Sequence, residues 1–361
     1  MEININQMNF PLNFEDIRAL TNFEIQLKKE NFKCWEDFEK ETDSLPICYS
    51  DAYANFNLEF QKYHGGKWID YSIIFTTQNK TIAIWPLSIS FKNNLYNLSS
   101  FRVPLLPPIF SNSASRRNKK NVVYDVNKII KFIINKLNIR DNSLQSYVPF
   151  LNTPSLPLWF SMQTSQVHEL RVEYDLFLSI EANLDEIKKN FRKSYKPLIN
   201  SAMNEWKSFK LTEYDKNIWS EFKKLHLEAA GRITRSEETW EIQHNLIKKN
   251  KAFLTYLRDD KNKMVACGFY WHTKSECEYG VGAFDRSLFD KPIGHLVQYV
   301  AIEEMIKRKI KWYRVGRKAN KNNLPIPDKK EEYISLFKQG FSSHTMPVYF
   351  LTNKINELQS S

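Results

Sequence analysis

Glu278-Tyr279-Gly280-Val281-Gly282-Ala283-Phe284 is followed, after a short polar stretch, by Lys291-Pro292-Ile293-Gly294-His295-Leu296. The first segment reads as a strand in which two glycines leave room beside the backbone. The second reads as a proline–glycine turn into a helix over 294–308. Upstream, apolar runs at 252–258 and 264–271, with polar turns at 259–262 and 273–276, complete a three-stranded meander. Downstream come a strand at 312–315, a helix at 329–338 and a strand at 346–351. The helix ends in Phe337-Lys338-Gln339-Gly340-Phe341, so Lys338 is either a solvated helix-end charge or a cation set against a developing anion.

Further upstream, 172–178 alternates as a strand. Leu184, Ile187, Phe191, Tyr195 and Leu198 then recur at helical spacing, with Asp185 and Glu186 in the favourable first turn and Pro197 expected to kink or interrupt the helix. A short strand at 209–212 and a helix at 218–229 stopped by Gly231 follow. The first 160 residues read as a separate α/β unit. It has a helix over 51–63 ended by Gly65-Gly66, a hairpin of 71–75 and 81–85 turning at Gln78-Asn79-Lys80, a basic loop at 115–120, and an amphipathic helix over 126–137. The proline-containing stretch 152–157 is the expected linker, giving domains 1–157 and 158–361.

Composition narrows the function classes. The 361 residues carry 52 basic and 41 acidic side chains, a net charge of +11, which favours polyanionic partners: nucleic acid, phosphorylated substrates or an anionic membrane face. No apolar run reaches a membrane-spanning length and no signal peptide is visible. The four cysteines are scattered without CxxC spacing, and the seven histidines show no ligand spacing, so neither a disulfide framework nor a metal site is expected and a cytoplasmic location is. There is no GxSxG elbow.

In the second unit, the order of strands and helices around a central meander is that of the GNAT acyltransferase fold. The first unit has a shorter version of its centre, so the fold class expected is α/β (α+β), two GNAT-like domains in tandem. In GNAT enzymes the helix start after the fourth strand holds the pyrophosphate of CoA on backbone amides. Here Gly294 is kept, but Leu296 replaces the second small residue, which counts against acetyl-CoA.

Five segments occur in the order seen in FemAB-type proteins: Arg192-Lys193-Ser194-Tyr195-Lys196; Gly231-Arg232-Ile233-Thr234-Arg235 with Trp240; Glu278 to Ala283; Gly294-His295-Leu296; and Phe337 to Phe341. The chain resembles this family of tandem-GNAT transferases, best known for adding amino acids from aminoacyl-tRNA to the peptidoglycan precursor. It is most similar to FemAB-like proteins of surface-polysaccharide clusters. The 240–250 segment is too short for the long helical arm of some Fem enzymes.

The resemblance implies an N-aminoacyltransferase acting in a direct ternary complex without a bound cofactor. The donor would be aminoacyl-tRNA, or alternatively acyl-CoA. The acceptor would be a phosphate-bearing glycan or peptidoglycan precursor, with a peripheral contact to the inner membrane face. Lys338 and Tyr279 are the expected catalytic residues. Arg192, Tyr195, Arg232, Arg235, Trp240, Phe337, Gly294 and His295 are the expected substrate-binding residues.

Overall fold

The computed structural model describes residues 11–139, 143–151, 157–164 and 167–354; the expected linker lies outside these residues apart from Pro157. The N-terminal half runs α1 (Phe14–Arg18), β1 (Glu24–Leu27), α2 (Phe32–Glu41), α3 (Asp51–Tyr63), β2 (Lys67–Asp70), β3 (Ile73–Thr77), β4 (Lys80–Trp85), β5 (Ser88–Lys92), β6 (Leu95–Ser99), β7 (Ile109–Phe110), α4 (Arg116–Leu137), β8 (Ser143–Val148) and α5 (Leu158–Thr164). The C-terminal half runs β9 (Glu169–Ser179), α6 (Leu184–Lys189), α7 (Tyr195–Glu205), β10 (Lys207–Leu211), α8 (Lys216–Ala230), α9 (Glu237–Lys248), β11 (Ala252–Arg258), β12 (Met264–His272), β13 (Glu276–Phe284), α10 (Ile293–Lys307), β14 (Trp312–Arg317), α11 (Lys329–Gln339) and β15 (His344–Lys354).

Local chemistry accounts for many of these boundaries. The β3–β4 hairpin turns at Gln78 and Asn79, both at positive φ, as a two-residue turn between right-twisted strands requires. Gly231 closes α8 in the left-handed conformation at φ +69°. Asp328 and Glu331 form a reciprocal capping box at the start of α11.

Two expectations need correction. The basic run at 115–120 is not a loop: Ser115 accepts a hydrogen bond from the Asn118 N–H (3.1 Å), and α4 begins at Arg116. The helix broken in the second half is not interrupted by Pro197. The break falls between Lys189 and Tyr195, and Pro197 sits in the first turn of α7, where a missing N–H loses no intrahelical bond.

The C-terminal half is organised on an eight-stranded sheet, ordered β10-β11-β12-β13-β14-β9-β15-β8. One face is covered by a core that includes Ile187, Ile199, Val297 and Phe341, from α6, α7, α10 and the segment after α11. On the other face, Trp219, Phe222, Trp240 and Leu246 of α8 and α9 pack with Tyr53 and Phe56 of α3. The two halves interlock. β8 pairs antiparallel with β15, while Val348 and Leu351 of β15 enter cores built otherwise from N-terminal residues. Segment 45–47 docks on the turn before β13: Leu45 N–H donates to Ser275 Oγ (3.0 Å), and Ile47 N–H donates to Glu276 Oε1 (3.2 Å).

The feature that positions the site is a split in this sheet. β13 runs parallel to β14, but their pairing stops at the Glu278–Arg314 rung. Beyond it both strands are irregular: β13 slips against β12 near Gly280, and β14 slips against β9 between Arg314 and Gly316. Such bulges raise local twist and re-aim the strand, so the two strand ends separate.

Candidate functional site at the strand split

Lys338, in the last turn of α11, reaches into this split. Its ammonium lies 5.7 Å from the centre of the Tyr279 ring, within cation–π range. It crosses the backbone at Gly316, where an added Cβ would come within 2.5 Å of Nζ. Gly316 also holds φ +149°, a conformation side-chain-bearing residues rarely adopt.

No hydrogen bond or ion pair joins Lys338 Nζ to any described residue. Burial pulls its pKa below the ordinary value, and the Arg314 guanidinium pulls it further, against the opposing pull of Glu278 and Asp175. Those two carboxylates are committed elsewhere: Arg314 donates to Asp175 (2.8 Å) and pairs with Glu278 (3.0 Å). The result is a partly buried cation with no hydrogen-bond or ion-pair partner among the described residues. Burial also raises the Tyr279 phenol, which therefore stays protonated.

Several expected residues hold Lys338 in place. The Tyr195 hydroxyl donates to the Phe337 carbonyl (2.9 Å), and the Arg192 guanidinium donates to the Leu336 carbonyl (3.1 Å). The Arg192 N–H donates to the Gly340 carbonyl (2.9 Å). The Arg192 bonds satisfy the Leu336 and Gly340 carbonyls at the end of α11, and the Tyr195 bond joins the Gly340 N–H on the Phe337 carbonyl. The Tyr195 ring occupies the space that a side chain at Gly340 would fill.

His295 packs edge-on to Tyr195 (4.4 Å) and Phe337 (5.1 Å). Burial, with Arg192 nearby, takes its pKa down to about 4, leaving it neutral near pH 7. Gly294 lies under aromatic side chains: a Cβ there would touch Phe337 (3.4 Å) and Phe284 (3.7 Å). Two rings thus flank Gly294 on the side that a Cβ would occupy.

Arg232, Arg235 and Trp240 are not at the strand split. They line a separate cavity of about 580 Å³ beside α8 and α9, which shares no lining residue with the cluster around Lys338. The Arg235 guanidinium stacks over Trp240 (4.5 Å) and donates to Gln243 (2.8 Å), but neither its Nε nor the Thr234 hydroxyl has a partner among the described residues. Burial, with Arg102 nearby, lowers the Arg235 pKa to about 10. This wall is cationic and carries unused donors, a combination suited to an anion.

Gly316, Asp175 and Arg314 were given no role from the sequence, and Glu278 and Phe284, though inside the quoted 278–284 segment, were given none either; the one sequence signal is a glycine just after the strand pattern at 312–315. Among the described residues no group of histidine, cysteine, aspartate and glutamate side chains could hold a metal ion, and no helix is long and apolar enough to cross a membrane.

No protein-family model and no curated protein sequence matches the chain. Solved structures do. The crystal structure of FemX superposes with a TM-score of 0.63 at 12% identity, covering 91% of this chain and 96% of FemX. A conserved protein of unknown function from Bacteroides thetaiotaomicron matches at TM-score 0.55, 7% identity and coverage of 92% and 100%. L-PGS from Bacillus licheniformis matches at TM-score 0.54, 10% identity and coverage of 90% and 92%. At such identities the likeness is one of fold. The chain has a Fem-like fold of two GNAT-like domains.

Proposed function

We propose that the protein is an N-aminoacyltransferase that moves an amino acid from aminoacyl-tRNA to an amine of a cell-wall or surface-glycan precursor. The observation that carries this reading is the uncompensated Lys338 ammonium at the strand split, held by Arg192, Tyr195 and Gly316. In the reaction the acceptor amine attacks the carbonyl of the aminoacyl ester. The carbonyl oxygen gains negative charge as the C–N bond forms. Lys338 faces that oxyanion, and a fixed donor in such a position lowers a barrier by about 3–4 kcal/mol. When the intermediate collapses, the C–O bond to the ribose breaks, and the ribose oxygen takes up the proton the amine releases. The Tyr279 ring supports the ammonium from beneath, and its protonated phenol is available as a donor.

Leu296 in place of a small residue and the two rings beside Gly294 favour aminoacyl-tRNA over acyl-CoA. Phe284 and Phe337 lie on Gly294, where a CoA pyrophosphate would need open backbone amides. The net charge of +11 fits a tRNA donor, and the cavity at Arg232, Thr234 and Arg235 supplies a cationic wall for the acceptor's phosphate. The test is amide formation from charged tRNA with amino-sugar and muropeptide acceptors. Transfer that is lost in Lys338→Ala, with a raised acceptor KM in Arg232→Ala, supports the reading. Transfer from acetyl-CoA but not from charged tRNA overturns it.

A further inference from the structure

A second cavity, of about 260 Å³, opens between α11 and the 317–327 segment, with Lys338 forming part of its wall. The remaining wall combines Asn323, Glu331, Arg317 and an apolar strip of Pro325, Pro327 and Ile334. Asn323 is 1% exposed. Its Oδ1 accepts the Asn320 N–H (2.6 Å), which fixes the amide orientation and leaves Nδ2 without a partner among the described residues. A buried amide donor left unpaired is costly, so this position calls for an oxygen. Glu331 commits Oε2 to the Asp328 N–H (3.0 Å), while its other oxygen makes no ion pair or hydrogen bond with a described residue. Arg317 is held by Glu173 (2.8 Å) and the Leu324 carbonyl (3.3 Å).

The cavity therefore combines a free carboxylate oxygen on the exposed Glu331, an unused amide donor and a short apolar wall with the side chain of Lys338. Its volume is below the roughly 300 Å³ at which drug-sized pockets begin, too small for a long acyl chain. Resting on the donor reading above, we infer that this cavity receives the α-aminoacyl group of the donor. Glu331 binds its α-ammonium, and Asn323 Nδ2 binds an oxygen on its side chain. A hydroxyl- or carbonyl-bearing amino acid is thereby favoured over an apolar one of similar size.

The probes are unreactive amide mimics of the charged tRNA end, 3′-aminoacylamino-3′-deoxyadenosine carrying serine or alanine, each with a free or an acetylated α-amine. Binding is followed by calorimetric titration. The wild type is expected to prefer the free amine by about tenfold, the scale of one charged hydrogen bond. Glu331→Gln abolishes that preference without lowering the melting temperature, because glutamine still completes the capping box. Asn323→Asp, which keeps the oxygen that accepts the Asn320 N–H, abolishes the preference for seryl over alanyl. If the mimics bind and either preference survives its substitution, the pocket assignment falls while the donor reading stands. If the mimics do not bind and acetyl-CoA does, the donor reading falls and takes the assignment with it.

Discussion

Lys28 and Lys338 are both withdrawn from water, and the molecule treats them in opposite ways. Lys28, 5% exposed in the N-terminal half, lies between Asp51 (3.0 Å) and Asp70 (2.5 Å) with Trp35 5.3 Å away. Burial alone would lower its pKa, but the two carboxylates outweigh burial and raise it. Around Lys338 burial wins, because Arg314 has already taken Glu278 and Asp175. One lysine is a closed structural pair; the other is a cation kept waiting for a negative charge. A cation that is satisfied by its surroundings gains little from an oxyanion, whereas an unsatisfied one gains most when that charge appears.

Substitution should separate the two. The largest effect is expected from Lys28→Met, which strands Asp51 and Asp70 and should cost about 3–5 kcal/mol of stability in urea titration. Lys338→Met should instead reduce the transfer rate by about 10²–10³ while leaving the melting temperature unchanged or higher. A melting temperature that fell as far as that of Lys28→Met would erase the distinction. Gly316→Ala should be milder in stability, about 1–3 kcal/mol for the strained backbone. It should still slow transfer, because the new methyl group occupies the path of the ammonium.

The smallest effect is in pH dependence, where the two lysines have opposite signs. The raised pKa of Lys28 means that its stabilisation is complete below the ordinary 10.5 and is lost as pH climbs through its folded value. The lowered pKa of Lys338 means that its cost is fully present below its folded value and disappears as pH rises to 10.5. The rate should therefore fall on an alkaline limb centred below 10.5. In Lys338→Arg that limb should vanish from whatever activity remains, because a guanidinium stays charged. Arg314, Glu278, Asp175 and Tyr279 are the charged and titratable neighbours that set the limb. An unchanged limb in Lys338→Arg would assign it to another group.

The strands and helices of the second half were legible because their signals are local: alternation in the meander, Gly231 after α8, the polar turns. The start of α4 was misread because a lysine- and arginine-rich run resembles a loop until its Ser115 cap is seen. The proline signal at 197 was read as a helix breaker, although the first turn of a helix tolerates it. The site was legible in part. Arg192, Tyr195, Gly294, His295, Phe337 and Lys338 do come together, whereas Arg232, Arg235 and Trp240 line another cavity. Spacing along a chain does not say on which side of a sheet a loop emerges.

The sequence alone determined the order of the meander and of the helices and strands that follow it, the aromatic setting of Lys338 and the larger residue at Leu296 in the helix start, since each depends on neighbouring residues. Tertiary structure alone decided that Lys338 has no ion-pair partner among the described residues. That outcome requires β13 and β14 to part after the Glu278–Arg314 rung, Gly316 to clear a path, and Arg314 to occupy two carboxylates from different strands. The balance of charge and burial at one nitrogen is a sum over residues distant in sequence, and the fold alone brings them together.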